Sequence, residues 1–464
     1  MLFRIILLLA LSSYVALSQF TVKTLPGFPG ELPFKLETGY IGVGEADEVQ
    51  LFYYFIESQG RPKDDALILW LTGGPGCSAL SGILYEIGPF TFDYKNSTRS
   101  RPALKLNPFS WTKVANIIFL DSPVGTGFSY AKTSQAYNSS DTLSTKQTYS
   151  FLRKWLVDHP EFLDNPLYIG GDSYSGIVVP VLVQEIYNGN EAGLEPFMNI
   201  KGYSLGNPYT NSTGDLNSRI PFAHRVSLLS DELYESTKEN CNGNYMEVDP
   251  NNALCVDDLQ VVEQCIEKID TANILEPKCA TLSPKPNTIL KWDQSSLEEN
   301  PRDLLNRLPL PNGPWCREYN YLYSYIWANN KTVRKALHIR EGTIKEWVRC
   351  NNSLSYAQNL ATSVEVHRNL TNKICQALIY SGDHDMVIPY VGTQVWIYSL
   401  NLTVENGWEP WFVDAQVAGY TEKFSHNNYY LTFATVKGGG HTAPEYKPKQ
   451  CLAMFSRWLA YYPL

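Results

Sequence analysis

The segment Leu167-Tyr-Ile-Gly-Gly-Asp-Ser-Tyr-Ser-Gly176 constrains this chain more than any other stretch. An apolar strand runs into Gly171-Asp172-Ser173-Tyr174-Ser175-Gly176, and a helical pattern opens directly behind it. Strand and helix approach closely at such a turn, so the positions two either side of the serine must be small. Gly171 meets this on one side, and Ser175, small but not Gly, on the other. The pattern reads as a nucleophile elbow, which lifts the Ser173 hydroxyl above the carboxyl end of a strand.

Such an elbow needs a sheet, and the chain supplies one. Ala66–Leu71, Val114–Leu120, Leu167–Ile169, Tyr203–Leu205, Ala377–Tyr380 and Leu431–Val436 are short apolar runs ending in polar or Gly-rich turns. Continuous apolar strands suit a parallel sheet covered on both faces. Helical patterns at Thr142–Asp158 and Val178–Ile186 lie between them, so the expected class is α/β, mostly parallel, with helices on both faces. The rhythm stops between residues 211 and 320, where five of the nine cysteines gather. That region reads as an insertion over one edge of the sheet, closed by disulfides. Inside it, residues 280–313 turn polar and Pro-rich, as an exposed connection open to proteolysis does. The expected division is therefore core at 19–210, insertion at 211–320 and core again at 321–464.

Composition narrows the function classes. A chain of 464 residues, 44% hydrophobic, can fill a large core. Its net charge of −9 lacks the basic footprint of a nucleic-acid binder. Residues 1–18 carry one Arg, an apolar run from Ile5 to Leu11 and the small-x-small site Ala16-Leu17-Ser18. This is the pattern of a removable secretory signal, too short to span a bilayer, and no other stretch is long and apolar enough. Sequons at Asn96, Asn138, Asn211, Asn330, Asn351, Asn369 and Asn401 predict a glycoprotein. The cysteines show no zinc-like spacing, so disulfides in an oxidising compartment are expected, with at least one thiol left over.

A serine nucleophile needs a base and an orienting acid, in this context in the order Ser, Asp, His. Ser381-Gly-Asp383-His384-Asp385 and Gly438-Gly-Gly-His441 both follow apolar strands, where open α/β sheets build their sites. Asp383 and Asp385, and His384 and His441, are thus the candidates. Trp70-Leu-Thr72-Gly73-Gly74-Pro75-Gly76-Cys77-Ser78 exits another strand. Its glycines let backbone N–H groups face a developing oxyanion, and Tyr174, after the nucleophile, supplies a second N–H.

With WLTGGPGCS, FLDSPVGTGFSY, GGDSYSG, YSGDHD and GGGHTAPEY in this order, the chain resembles the serine carboxypeptidase-like family of α/β-hydrolases across essentially its whole length after the signal. The resemblance implies Ser173 as nucleophile, His441 as base, Asp385 as orienting acid, and the N–H groups of Gly74 and Tyr174 as oxyanion donors. It also implies a Cys77–Cys350 disulfide; Cys241–Cys255 and Cys279–Cys316 are the pairings expected in the insertion. The family's peptidases hold a terminal carboxylate with an Asn at the start of the Gly-Gly turn, a Glu before the nucleophile and a further Glu. Here those substrate-binding positions, with Gly73, are Thr72, Asp172 and Glu86, of which only Glu86 matches. The resemblance is closest to the plant branch, similar to sinapoylglucose-dependent transferases, that moves acyl groups from glucose esters to hydroxyl acceptors; a C-terminal peptidase is the alternative. It implies no metal and no organic cofactor. Vacuole and extracellular space both suit the expected secretion. Asp172 and Glu86, if adjacent, would share a proton and favour activity at mildly acidic pH.

Overall fold

The computed structural model describes residues 19–98, 101–279 and 316–464; the signal at 1–18 and the connection at 280–313 lie outside the described residues. Eleven strands form the path of the central sheet: β1 (Gln19–Val22), β2 (Leu36–Val43), β3 (Val49–Ile56), β4 (Ala66–Leu71), β5 (Ala115–Leu120), β6 (Leu167–Asp172), β7 (Ile200–Gly206), β8 (Cys375–Gly382), β9 (Thr403–Val413), β10 (Gln416–His426) and β11 (Tyr429–Val436). Their order is β1-β2-β3-β5-β4-β6-β7-β8-β11-β10-β9. The six strands from β5 to β11 in that order are parallel. Antiparallel strands flank them, three on one side (β1, β2 and β3) and two on the other (β10 and β9). The fold is that of an α/β-hydrolase.

Alternation along the central strands makes the two cores. In β4, Ile68 and Trp70 enter one apolar cluster, while Leu67, Leu69 and Leu71 enter the other. Helices α1 (Asp141–Asp158) and α2 (Ser175–Glu191) cover the second face with Phe151, Trp155, Leu182 and Ile186, all essentially without exposure. Each such side chain contributes roughly 1.5–3 kcal/mol on burial, whereas the exposed Lys154–Asp47 ion pair is worth about 1 kcal/mol at most. Packing, not surface charge, therefore holds the helices down.

The insertion sits elsewhere than the sequence suggests. Helices α3 (Arg219–Arg225), α4 (Asp231–Asn240) and α5 (Ala253–Ile266) form a separate cluster in which Ile220, Phe222 and Val262 pack on Met386 and Val391. Met386 lies just beyond β8, an interior strand, so the insertion covers carboxyl ends of strands instead of a sheet edge. Edge strand β9 stays exposed along most of its length. Disulfides join Cys77 to Cys350, Cys241 to Cys255 and Cys279 to Cys316. Cys265, Cys375 and Cys451 stay reduced. Three disulfides suit the oxidising secretory pathway. Of the sequons, Asn96, Asn138, Asn330, Asn369 and Asn401 are exposed, and Asn211 and Asn351 half-buried. Among the described residues no helix is long and apolar enough to cross a membrane.

Candidate active site

Strand β6 ends at Asp172 and helix α2 begins at Ser175, so the chain reverses direction in two residues. Ser173 takes φ of 53°, the left-handed region that side chains other than Gly rarely adopt. Its backbone is held from two sides: its N–H donates to Gly206 O (2.9 Å) and its C=O accepts from Tyr209 N–H (2.8 Å). A Cβ on Gly171 would lie 2.5 Å from Leu71 O, which explains the glycine there. Ser175 fits because its hydroxyl donates to that same carbonyl at 2.8 Å.

The structure brings Ser173, His441 and Asp385 together and leaves the rival pair aside. The Ser173 hydroxyl lies 2.8 Å from His441 Nε2, and His441 Nδ1 lies 2.8 Å from Asp385 Oδ2. With Nδ1–H donating to the carboxylate, Nε2 is free to accept from the serine. Asp383 and His384 instead bind each other (2.6 Å), and Asp383 also accepts from Gly438 N–H. Burial alone would lower the His441 pKa, but the Asp385 carboxylate, followed by Asp172, outweighs it and raises the value above 6.5. A base so placed can take the hydroxyl proton and be stabilised as the imidazolium.

Two further residues complete the frame and were given no role from sequence. Asn207, buried and left-handed at φ 42°, donates from Nδ2 to Asp385 Oδ2 (2.8 Å) and accepts from Gly382 N–H (3.1 Å). A short amide in an Asn-Pro step behind a strand was the only sequence signal for it. Asp121, within FLDSPVGTGFSY, accepts from Ser78 Oγ, Ala79 N–H and Phe128 N–H, each at 2.8 Å. It thereby anchors the Gly-Gly turn to the loop after β5. Burial pushes its carboxyl up to about 6, against the pull of those donors.

The Gly-Gly turn lies against the elbow. A Cβ on Gly73 would stand 2.6 Å from Ser173 Cβ and 3.1 Å from Tyr174 N. Gly74 has φ of 123°, open to glycine alone at ordinary strain. Among the described residues neither the Gly74 nor the Tyr174 N–H donates to a protein acceptor. Two N–H groups without a protein acceptor, one of them on the residue that follows Ser173, are what an oxyanion there would require. The Tyr174 phenol is held separately, donating to Asp141 at 2.8 Å.

Behind the turn lie two buried carboxyls. Asp172 accepts from Gly73 N–H at 3.1 Å. Burial pushes its pKa up to about 6, resisted first by His441 and then by the Gly73 hydrogen bond. Glu86, in the π-helical turn Gly82–Glu86, is pushed well above 4.5 by burial and next by the charge of Asp172. Thr72 is buried as well, and its hydroxyl has no hydrogen-bond partner among the described residues. Among those residues no cluster of His, Cys, Asp or Glu is arranged to hold a metal ion.

An α/β sheet with a strained serine, a histidine and a buried aspartate at its strand ends defines the class: a serine-centred α/β-hydrolase fold. Within it, residues 26–461 match the serine carboxypeptidase family model, and the chain belongs to that family. It is 47% identical over 462 residues to serine carboxypeptidase-like 7 of Arabidopsis thaliana, covering 98% of each chain. It is likewise 47% identical to serine carboxypeptidase-like 10 of the same plant, over 99% of this chain and 98% of the relative. Among solved structures, Kex1(Δ)p, a prohormone-processing carboxypeptidase from Saccharomyces cerevisiae, shares the fold with a TM-score of 0.73 at 20% identity, covering 96% of this chain and 95% of its own.

Proposed function

We propose that this protein is an acyltransferase that moves an acyl group from a 1-O-glucose ester to a hydroxyl acceptor through an acyl-Ser173 intermediate. In the first half-reaction His441 removes the Ser173 proton and the serine oxygen attacks the acyl carbon. The oxyanion is met by the N–H groups of Gly74 and Tyr174, each such donor being worth ~100- to 1000-fold in rate. Asp385 steadies the imidazolium, which then protonates the departing glucose oxygen. In the second half an acceptor hydroxyl gives its proton to His441 and attacks the ester, releasing the product and restoring Ser173. Water competes at tens of molar, and an oriented hydroxyl, with an effective molarity of ~10⁵ M or more, outruns it.

The observation that carries the transferase reading is the Asp172 carboxyl bound to Gly73 N–H at 3.1 Å. In the peptidases of this family the matching positions receive a peptide's terminal carboxylate. Here the N–H already has its acceptor, the amide of an Asn is replaced by the unpaired Thr72 hydroxyl, and Glu86 stands alongside Asp172. Once Asp172 ionises, an anionic peptide end meets a buried negative charge, whereas a neutral sugar hydroxyl can donate to it. A signal peptide and glycosylation would take the protein through the secretory pathway to vacuole or extracellular space.

Incubation with hydroxycinnamoyl or aliphatic glucose esters plus candidate alcohols tests the proposal. The expected product is the new ester, with glucose released. Free acid alone, whatever the acceptor, overturns the transferase reading, and release of C-terminal residues from a blocked dipeptide establishes the peptidase in its place.

A further inference from the structure

The loop between Ile269 and Pro277, the last part of the insertion before Cys279, is pinned at its base by an antiparallel bridge between those two residues. Its backbone reaches both arms of the relay. Ala272 O accepts from His441 N–H at 2.7 Å, and Thr271 O accepts from Met386 N–H, next to Asp385, at 2.8 Å. Ile274 N–H donates to His384 O at 3.1 Å. The fit is tight: a Cβ on Gly440 would stand 2.3 Å from Ala272 O.

The far end of the loop is fastened by charge. Arg317 donates from Nε and Nη2 to the Glu276 carboxylate, at 2.9 and 2.5 Å for the closer oxygens. Its Nη1 lies 3.5 Å from Glu445 Oε1, and its guanidinium lies over the Tyr446 ring at 4.1 Å. Glu445 follows His441 by four residues and accepts from Thr442 Oγ1 (3.0 Å) and Tyr321 OH (2.9 Å). One planar guanidinium thus joins the insertion, through Glu276, to the His441 loop, through Glu445. A fork of fixed geometry holds two carboxylates in register where a flexible ammonium does not.

We infer that Arg317 is a positioning residue: acting through Glu276 and Glu445, it makes the insertion part of the device that aims the His441 imidazole at Ser173. The inference rests on the reading of Ser173, His441 and Asp385 as a working relay. Misplacement of a reacting group by about 1 Å lowers rates ~100-fold, so a loosened clasp acts on the chemical step more than on substrate binding.

The test uses the full chain and a fluorophosphonate probe, in which Ser173 oxygen bonds to phosphorus, fluoride leaves and His441 accepts the proton. Labelling rate, KM for an ester substrate and thermal midpoint are measured for wild type, Arg317→Gln, Glu276→Gln, the double variant and Arg317→Lys. Each single neutral variant is expected to label roughly 10- to 100-fold more slowly with KM changed by less than about threefold. The double variant should be no slower than the worse single, and Arg317→Lys intermediate. Wild-type labelling rates in both single variants, losses that multiply in the double, or losses that vanish well below each variant's thermal midpoint overturn the inference alone. A wild-type chain that does not label overturns the relay reading, and the inference with it.

Discussion

Replacing Asp172 with Asn probes the buried carboxyl pair most directly. The folded protein raises this carboxyl from 3.8 to about 6, chiefly by burial. It therefore binds its proton more tightly folded than unfolded. The resulting stability is full below the unfolded value of 3.8 and is lost as pH rises through about 6. A gap of about two pH units corresponds to ~3 kcal/mol. Asn keeps an oxygen for the Gly73 N–H and never ionises, so it escapes this loss. Asp172→Asn should exceed wild type by ~3 kcal/mol at pH 7.5 and by less than ~1 kcal/mol at pH 4. Unfolding entropy of about 2.1 cal/mol/K per residue makes that about 3 °C in midpoint for a chain of 464 residues. Thermal scans of both proteins from pH 4 to 7.5 measure it. Parallel midpoints across that range, or an Asn variant less stable at pH 7.5, would refute the reasoning. Because Asp172 also raises the His441 pKa, the variant should move the acid limb of the labelling-rate profile, where His441 loses its proton, to lower pH.

Three further outcomes are expected. Gly73→Ala pushes a methyl to 2.6 Å from Ser173 Cβ, so phosphonate labelling should fall more than ~100-fold, and near-normal labelling would show that the turn can give way. Asn207→Ala removes one donor from Asp385 and strains a left-handed residue; kcat should drop roughly 10- to 100-fold with KM little changed, and a loss under about twofold would deny Asn207 its role. His367, buried on Tyr203 and Trp396, is lowered by burial from 6.5 to about 3. Its contribution is present above pH 6.5 and lost as pH falls toward 3, at ~1.4 kcal/mol per unit; His367→Gln should flatten this acid limb, and an unchanged slope would exclude it.

The central strands were legible because burial on both faces leaves an unbroken apolar run, as in Ala66–Leu71, with a glycine or polar turn behind it. The elbow was legible because close approach of strand and helix permits few residue types. The antiparallel wings escaped notice for opposite reasons. β9 is exposed along most of its length and reads as loop, while β3, Val49–Ile56, is buried throughout but is followed by no helix of its own. Asn207 and Asp121 were hidden because a buried polar residue declares itself only through its partners. The partners of Asn207, at Gly382 and Asp385, lie 175 and 178 residues further along the chain.

Residue types and their order were enough to specify an α/β sheet, a strained serine and a short set of acids and bases, since those follow from local sterics and periodicity. The resemblance already pointed to Asp385 over Asp383, but bringing Asp385 to His441, seating the insertion on the strand ends and closing Arg317 between Glu276 and Glu445 are the work of the folded molecule. Those are contacts between distant segments, and hydrogen-bond distance is a property of the assembled structure rather than of any one stretch of chain.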